Sequence, residues 1–285
     1  MVICAHGYSG NGRDFDFLAR SLSRDARVVC PDMAGRGRSA WLANPLAYNF
    51  PQFLSDIRAL IAEIGAPGVE WIGTSMGGLL GLLLAAEPRS PIVRLVLNDV
   101  GAFVPANALA AIGRNLRAAE RFESMAALEA HVRHTHREWG PMTDEQWSHL
   151  ARHAARRLPD GYTLHYDPSI ASFMQPPPFA PGLALWSAWH RVRCPVLLVR
   201  GRTSRIFPIE VAETMLLVKP QAEYAEIADA GHAPSLMAPE QIALVEDFLA
   251  RGRADRRPTA GRCAPQCEER GRHELDPRSP IRAIV

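Results

Sequence analysis

Short apolar runs alternate with stretches of helical spacing through most of the chain. Val2–Ala5, 26–30, 69–72, 92–97, 195–200 and Glu223–Ile227 read as strands, most of them apolar on both faces. Phe53, Ile57, Leu60, Ile61 and Ile64 share one helical face, with Pro51 near the start and Gly65 as the stop. Gly77-Gly78 followed by Leu79, Leu80, Leu82, Leu83 and Leu84 reads as a buried helix, and 15–22, 208–218 and 239–250 complete the set. Strands without a polar face belong to a parallel sheet covered by helices on both sides. Chemistry in such a sheet gathers at the carboxyl ends of the strands, where His6, Asp32, Ser75 and Asp99 fall.

The pattern changes between Phe103 and Pro181, where no strand is predicted and three helical stretches follow one another, 106–121, 125–138 and one from Thr143. Thr143-Asp144-Glu145-Gln146 is a capping box for the third. Gln175-Pro176-Pro177-Pro178 closes the segment, and 183–190 is expected to return to the core as a helix. The expected organisation is a discontinuous α/β core of residues 1–102 and 181–251, a helical cap of 103–180 and a tail of 252–285. The tail is rich in Arg, Pro, Gly and Glu and reads as disordered.

Composition narrows the function classes. The chain has 285 residues, 47% of them hydrophobic and 22% charged, enough for a large core. A net charge of +2 argues against a dedicated nucleic-acid binder. No apolar run approaches the ~20 residues of a membrane span, so no membrane partner is expected. Met1 leads at once into strand-like sequence and shows no secretory signal. Cys4, Cys30 and Cys194 lie in apolar runs, which suits buried free thiols in a reducing cytoplasm. Cys263-x3-Cys267 in the tail is weak ground for a metal, and no cofactor is expected.

Gly73-Thr74-Ser75-Met76-Gly77 sits between a strand and a helix. A serine hydroxyl exposed on a strained strand-to-helix turn needs small residues two positions to either side. Ser75 is therefore the candidate nucleophile. Its base should come late, on a loop after a strand, and His232 in Ala230-Gly231-His232-Ala233-Pro234 fits. The backbone N–H groups of Met76 and of Tyr8, in the glycine-rich loop from His6 to Gly12, are the candidate oxyanion donors. Gly35-x-Gly37 lacks the third glycine and later acidic residue of a dinucleotide site.

With these residues in place the chain resembles the α/β-hydrolase superfamily, in particular capped bacterial hydrolases and acyltransferases related to meta-cleavage-product hydrolases and carboxylesterases. The resemblance runs from Val2 to about Leu249. It rests on His6-Gly7, Asp32-x-x-Gly35-x-Gly37-x-Ser39, Gly73 to Gly78, Leu97-Asn98-Asp99-Val100-Gly101, Asp167-Pro168, Trp186-x-x-Trp189, Cys194 to Gly201 and Gly231 to Pro234. It implies an α/β-hydrolase fold with a helical lid and a cofactor-free Ser–Asp–His hydrolase acting on a small apolar ester or thioester. Carbon–carbon hydrolysis or acyl transfer on the same site is the alternative. A homodimer is an open alternative to a monomer.

Two departures from that pattern stand out. Relatives carry a further antiparallel strand pair before the His-Gly strand, so the N-terminus reads as truncated or mis-started, with an exposed sheet edge and reduced solubility expected. Relatives also carry an aspartate three or four residues past the glycine at 201, where this chain has Ser204 and Arg205. Neither can hold a histidine in its working tautomer, and Arg205 would oppose its positive form. Asp99 is the alternative acid; Asp229 is too close to His232 in sequence. The empty acid position also motivates a third reading, an impaired hydrolase that only binds a ligand or partner.

His131, His134, His136, His149 and His153 fall on the cap helices. His149 and His153 could grip a metal at i,i+4, but without a glutamate or thiolate beside them a solvated helix face is the expectation. Trp139, Trp147, Trp186, Trp189, Phe173 and Phe179 are expected to pack cap against core or to line an apolar pocket.

Overall fold

The computed structural model describes residues 1–116, 120–174, 181–254 and 283–284. In chain order the strands are β1 (Val2–Ala5), β2 (Val28–Pro31), β3 (Val69–Thr74), β4 (Ile92–Asn98), β5 (Phe103–Pro105), β6 (Arg121–Phe122), β7 (Ala155–Leu158), β8 (Gly161–Leu164), β9 (Gly182–Ala184), β10 (Val196–Gly201), β11 (Glu223–Ile227) and β12 (Ala283–Ile284). The α-helices are α1 (Asp16–Leu22), α2 (Phe50–Ile64), α3 (Met76–Ala85), α4 (Ala106–Leu116), α5 (Met125–Thr135), α6 (Asp144–Ala154), α7 (Trp186–Arg191), α8 (Ile209–Val218) and α9 (Pro239–Ala254).

The main sheet runs β11-β10-β4-β3-β1-β2-β12. Every pairing is parallel except that of β12, which lies antiparallel to β2 with Ala283 opposite Pro31. Successive side chains of a strand point to opposite faces. Val2 and Cys4 accordingly join Leu18, Leu22, Val245 and Phe248 of α1 and α9, whereas Ile3 and Ala5 join Phe53, Ile57 and Leu80 of α2 and α3. Register sets the positions of the site. Thr74 lies opposite Asn98, and Asn98 opposite Val199, so β3, β4 and β10 deliver Ser75, Asp99 and the loop after Gly201 to one rim.

The cap departs from the all-helical expectation. Alongside α4, α5 and α6 it holds a three-stranded antiparallel sheet, β6-β8-β7, and β5 pairs with β9 in a ribbon at its base. The strands escaped the hydrophobic pattern because they are short and polar: Arg156 and Arg157 of β7 are exposed. The hairpin is turned by Pro159-Asp160 ahead of Gly161, a turn sequence with a known mechanism. Residues 182–184 are strand rather than the start of a helix, and α7 begins only at Trp186. Thr143 does cap α6, with its side chain accepting from Gln146 N–H and Gln146 returning the bond.

The tail boundary also shifts. Helix α9 continues to Ala254, past the expected start of the tail, and 283–284 are strand; the rest of 252–285 lies outside the described residues. Among the described residues no helix is long and apolar enough to cross a membrane. Cys4 and Cys30 are buried free thiols and Cys194 is half-buried.

The cap is pinned to the core by apolar side chains, with Val104, Ala108, Tyr166 and Ile170 buried in the main core cluster, and by polar contacts. Tyr48 Oη donates to Asp167 at 2.6 Å, Gly37 N–H to the His165 carbonyl at 3.0 Å, and Gly231 N–H to the Glu138 carbonyl at 2.6 Å. Its own apolar cluster, Leu128, Val132, Trp147, Leu150 and Ala151, takes in Met237 from the core. Trp189 is instead fully buried in the core itself, Trp139 and Trp186 are half-buried, and the side chains of Phe173 and Phe179 lie outside the described residues.

Candidate active site

Ser75 sits on the turn between β3 and α3 at φ 52°, ψ −115°, away from the wells open to an L-residue. The flanking glycines make this turn possible. A Cβ on Gly73 would lie 2.3 Å from the Gly77 carbonyl oxygen, and one on Gly77 would lie 2.1 Å from the Ala5 carbonyl oxygen. Trp71, fully buried under the turn, donates its indole N–H to the Gly77 carbonyl at 2.9 Å. Ser75 N–H donates to the Asn98 carbonyl at 2.9 Å, tying the turn to the end of β4.

The structure brings Ser75, His232 and Asp99 into one line. Ser75 Oγ lies 3.0 Å from His232 Nε2, and His232 Nδ1 lies 2.7 Å from Asp99 Oδ2. A carboxylate only accepts, so Nδ1 carries the proton and Nε2 is left to take one from the serine. Asp99 has no exposed surface and adopts φ 55°, a left-handed conformation that Asp tolerates better than most residues. Gly201 N–H donates to its Oδ1 at 2.8 Å and Ser204 Oγ–H to its Oδ2 at 2.6 Å.

Ser204 thus lies at the loop position where an acid is expected, and its hydroxyl serves Asp99 rather than the histidine. It is held for that task by the N–H groups of Ile206 and Phe207, which donate to its oxygen at 3.2 and 3.1 Å. Arg205, which had been expected to oppose the histidine's charge, is exposed, as are Asp229 and its neighbour Thr203 on the other side of the serine. Asn98 fixes the histidine loop: its Nδ2 donates to the Pro234 carbonyl at 2.8 Å and to Thr74 Oγ1 at 3.0 Å.

On the other side of Ser75 lies the loop after β1. A Cβ on Gly7 would rest 3.8 Å from Ser75 Cβ, so this loop runs against the serine. Met76 opens α3, where the first N–H groups have no partner within the helix and the dipole favours negative charge. Gly7 of this loop and Met76 of α3 thus lie on either side of the serine. Arg36, which the sequence reading did not single out, touches Tyr8 and Met76. Its Nε donates to the Tyr8 carbonyl at 2.9 Å, its Nη1 to the Ala34 carbonyl at 2.8 Å, and its Nη2 lies 3.7 Å from Met76 Sδ. The guanidinium has no exposed surface and lies over the rings of Tyr8 and Phe53, 4.9 and 5.0 Å from their centroids. Burial lowers its pKa to about 10, which leaves it cationic at neutral pH.

His6 and Asp32 are structural. Met33 N–H donates to His6 Nε2 at 2.9 Å, so its Nδ1–H faces the Gly7 carbonyl at 2.6 Å, and burial pushes its pKa down to about 4. Asp32 accepts from Gly12 N–H at 2.7 Å and Arg38 N–H at 2.8 Å. Among the cap histidines His134 is exposed, but His149 is buried against α1, contrary to the solvated face expected for it. The helix face carrying it packs inward onto the core.

A serine on a strained strand-to-helix turn, a histidine on a late loop and a buried aspartate meet at the rim of a mostly parallel sheet. Residues 2–244 match the family model described as "Alpha/beta hydrolase family", and the chain belongs to that family and is a hydrolase. It is 41% identical over 259 residues to a 3-hydroxybutyrate-oligomer hydrolase of Cupriavidus necator, covering 87% of this chain and 88% of that one. It is 26% identical over 246 residues to a pimeloyl-[acyl-carrier protein] methyl ester esterase of Xanthomonas oryzae, covering 85% and 91%. The solved structure of an alpha/beta hydrolase from Novosphingobium aromaticivorans superposes with a TM-score of 0.79 at 35% identity, covering 88% and 89%.

Proposed function

We propose that this chain is a serine hydrolase of carboxylic esters whose substrates are short oligomers of 3-hydroxybutyrate or closely similar aliphatic hydroxyacids. The observation that carries the chemistry is the Ser75–His232–Asp99 line at 3.0 and 2.7 Å. The substrate class is suggested by the 41% identity to the Cupriavidus necator enzyme across nearly the whole of both chains.

In this reading Ser75 Oγ attacks the ester carbonyl carbon while its proton passes to His232 Nε2. Asp99 holds Nδ1–H and stabilises the imidazolium, and the N–H groups of Tyr8 and Met76 receive the oxyanion. Collapse breaks the ester C–O bond, and the departing 3-hydroxyl oxygen takes the proton from Nε2. Water then repeats the sequence on the acyl-enzyme and releases the acid. The Asp99–His232 contact at 2.7 Å favours this reading over that of an impaired hydrolase.

A fluorophosphonate probe together with hydrolysis of the 3-hydroxybutyrate dimer and trimer tests the proposal. Labelling of Ser75 and release of monomer are expected, with turnover falling by about 10⁶ in Ser75→Ala, as when a serine-protease nucleophile is removed. Folded protein that neither labels nor cleaves any short ester contradicts the serine mechanism. Labelling without oligomer cleavage contradicts only the substrate class.

A further inference from the structure

We propose that Asp16, His149 and His153 form a binding site for a divalent transition metal, zinc in the first place, that clips the cap to the core. The observation is a juxtaposition across their seam. Asp16 opens α1, one 3-10 turn (Gly12–Phe15) after the loop from His6 to Gly12, and His149 and His153 stand one turn apart on α6 of the cap. One ligand atom from each of the three lies within 4.8 Å of the others. His149 Nε2 is 3.4 Å from Asp16 Oδ2. Two ligands of a tetrahedral zinc at ordinary bond lengths are separated by about 3.4 Å, so this pair stands at binding distance. The half-buried His153 has only to rotate inward, and its ring already lies 4.5 Å from that of His149.

The chemistry of the three groups suits the ion. Two imidazoles, one carboxylate and a water make a common four-coordinate zinc set. His149 Nε2 donates to the Arg13 carbonyl at 3.0 Å, and on binding its proton moves to Nδ1 with no net release. The competitor is Arg13, whose Nε donates to Asp16 Oδ2 at 2.7 Å. Its side chain is a third exposed, so it can leave for solvent while keeping its charge. Asp16 thus has two alternative cations, the guanidinium and the metal. The metal would tighten a seam that otherwise relies on bonds such as Asn11 Nδ2–H to the His153 carbonyl, 3.1 Å. Because Asn11 belongs to the loop carrying Tyr8, the clip sits beside the active site without entering it.

The test is calorimetric titration of the untagged full-length chain with Zn²⁺, and with Co²⁺ to read the visible absorption of a tetrahedral centre. Cys263→Ser/Cys267→Ser serves as background, so that the tail thiols do not compete. One equivalent, a tetrahedral Co²⁺ spectrum and a rise in Tm on Zn²⁺ addition are expected. His153→Ala and Asp16→Asn should each weaken binding about tenfold or more while leaving the metal-free melting curve nearly unchanged. Arg13→Ala should bind more tightly than the parent. Failure to bind a saturable equivalent, or wild-type affinity in both His153→Ala and Asp16→Asn, overturns the site.

Discussion

Trp71 and Trp147 mark two regions built on different terms. Trp71, in the middle of β3, has no exposed surface, and its indole N–H holds the Gly77 carbonyl beneath the Ser75 turn. Trp147, on α6, is 8% exposed and shares a small cluster with Leu128, Val132 and Leu150 of the cap and Met237 of the core. The sheet is locked by continuous strand pairing and by apolar layers on both faces, whereas the cap has a small cluster of its own and meets the core through hydrogen bonds and a few apolar side chains such as Tyr166 and Ile170. Residues that need sub-ångström placement accordingly come from strand ends. The cap, with its own small cluster, is the part that can change shape or sequence without moving Ser75, His232 or Asp99.

Trp71→Ala should cost about 4 kcal/mol of global stability and abolish folding-dependent activity. Trp147→Ala should instead raise hydrogen exchange in α5 and α6 while sheet amides stay protected. Equal loss of protection in sheet and cap would show that the two regions open as one unit.

The core also predicts its own pH limit. His6 has its pKa lowered from 6.5 to about 4 by burial, so between these values the unfolded chain binds a proton that the folded chain does not. Stability from this group is full above pH 6.5 and falls as pH drops toward 4, by roughly 3 kcal/mol. Denaturant titrations from pH 7 to 4 should show this loss, and His6→Asn should flatten it.

Arg36→Met should cost about 2 kcal/mol by leaving the Tyr8 and Ala34 carbonyls without their donor. If the guanidinium positions the Tyr8 peptide, kcat falls more than KM changes in the folded variant. The smallest expected effect is that of Ser204→Ala. Removing one donor to Asp99 should lower kcat by about tenfold or less. A loss as large as that for Asp99 itself would mean that Ser204 acts directly on the histidine.

Much of the core could be read from the chain because its physics is local. A continuous apolar run such as 196–199 has to be a covered strand, and Gly73 and Gly77 mark a turn that only small residues permit. Gly65 ends α2 in the left-handed conformation, φ 66°, as its position past the last apolar residue suggested. The cap hairpin was hidden because Arg156 and Arg157 gave β7 no apolar face, although Pro159-Asp160-Gly161 was a turn signal in plain view. The partner of Asp99 was illegible for another reason. Ser204 and Asp99 are 105 residues apart, and only the β4–β10 register brings them to 2.6 Å. The same holds for Arg36, whose burial over Tyr8 depends on how two loops meet.

The proposed mechanism depends on Asp99, at the end of β4, serving as the acid for His232. Steady-state hydrolysis of a 3-hydroxybutyrate dimer by Asp99→Asn, with Ser75 labelling and circular dichroism confirming the fold, tests it most directly. A fall in kcat of about 10⁴ is expected, the size seen when a serine protease loses the same carboxylate. A folded Asp99→Asn enzyme that turns over within a few-fold of the wild-type rate would contradict it.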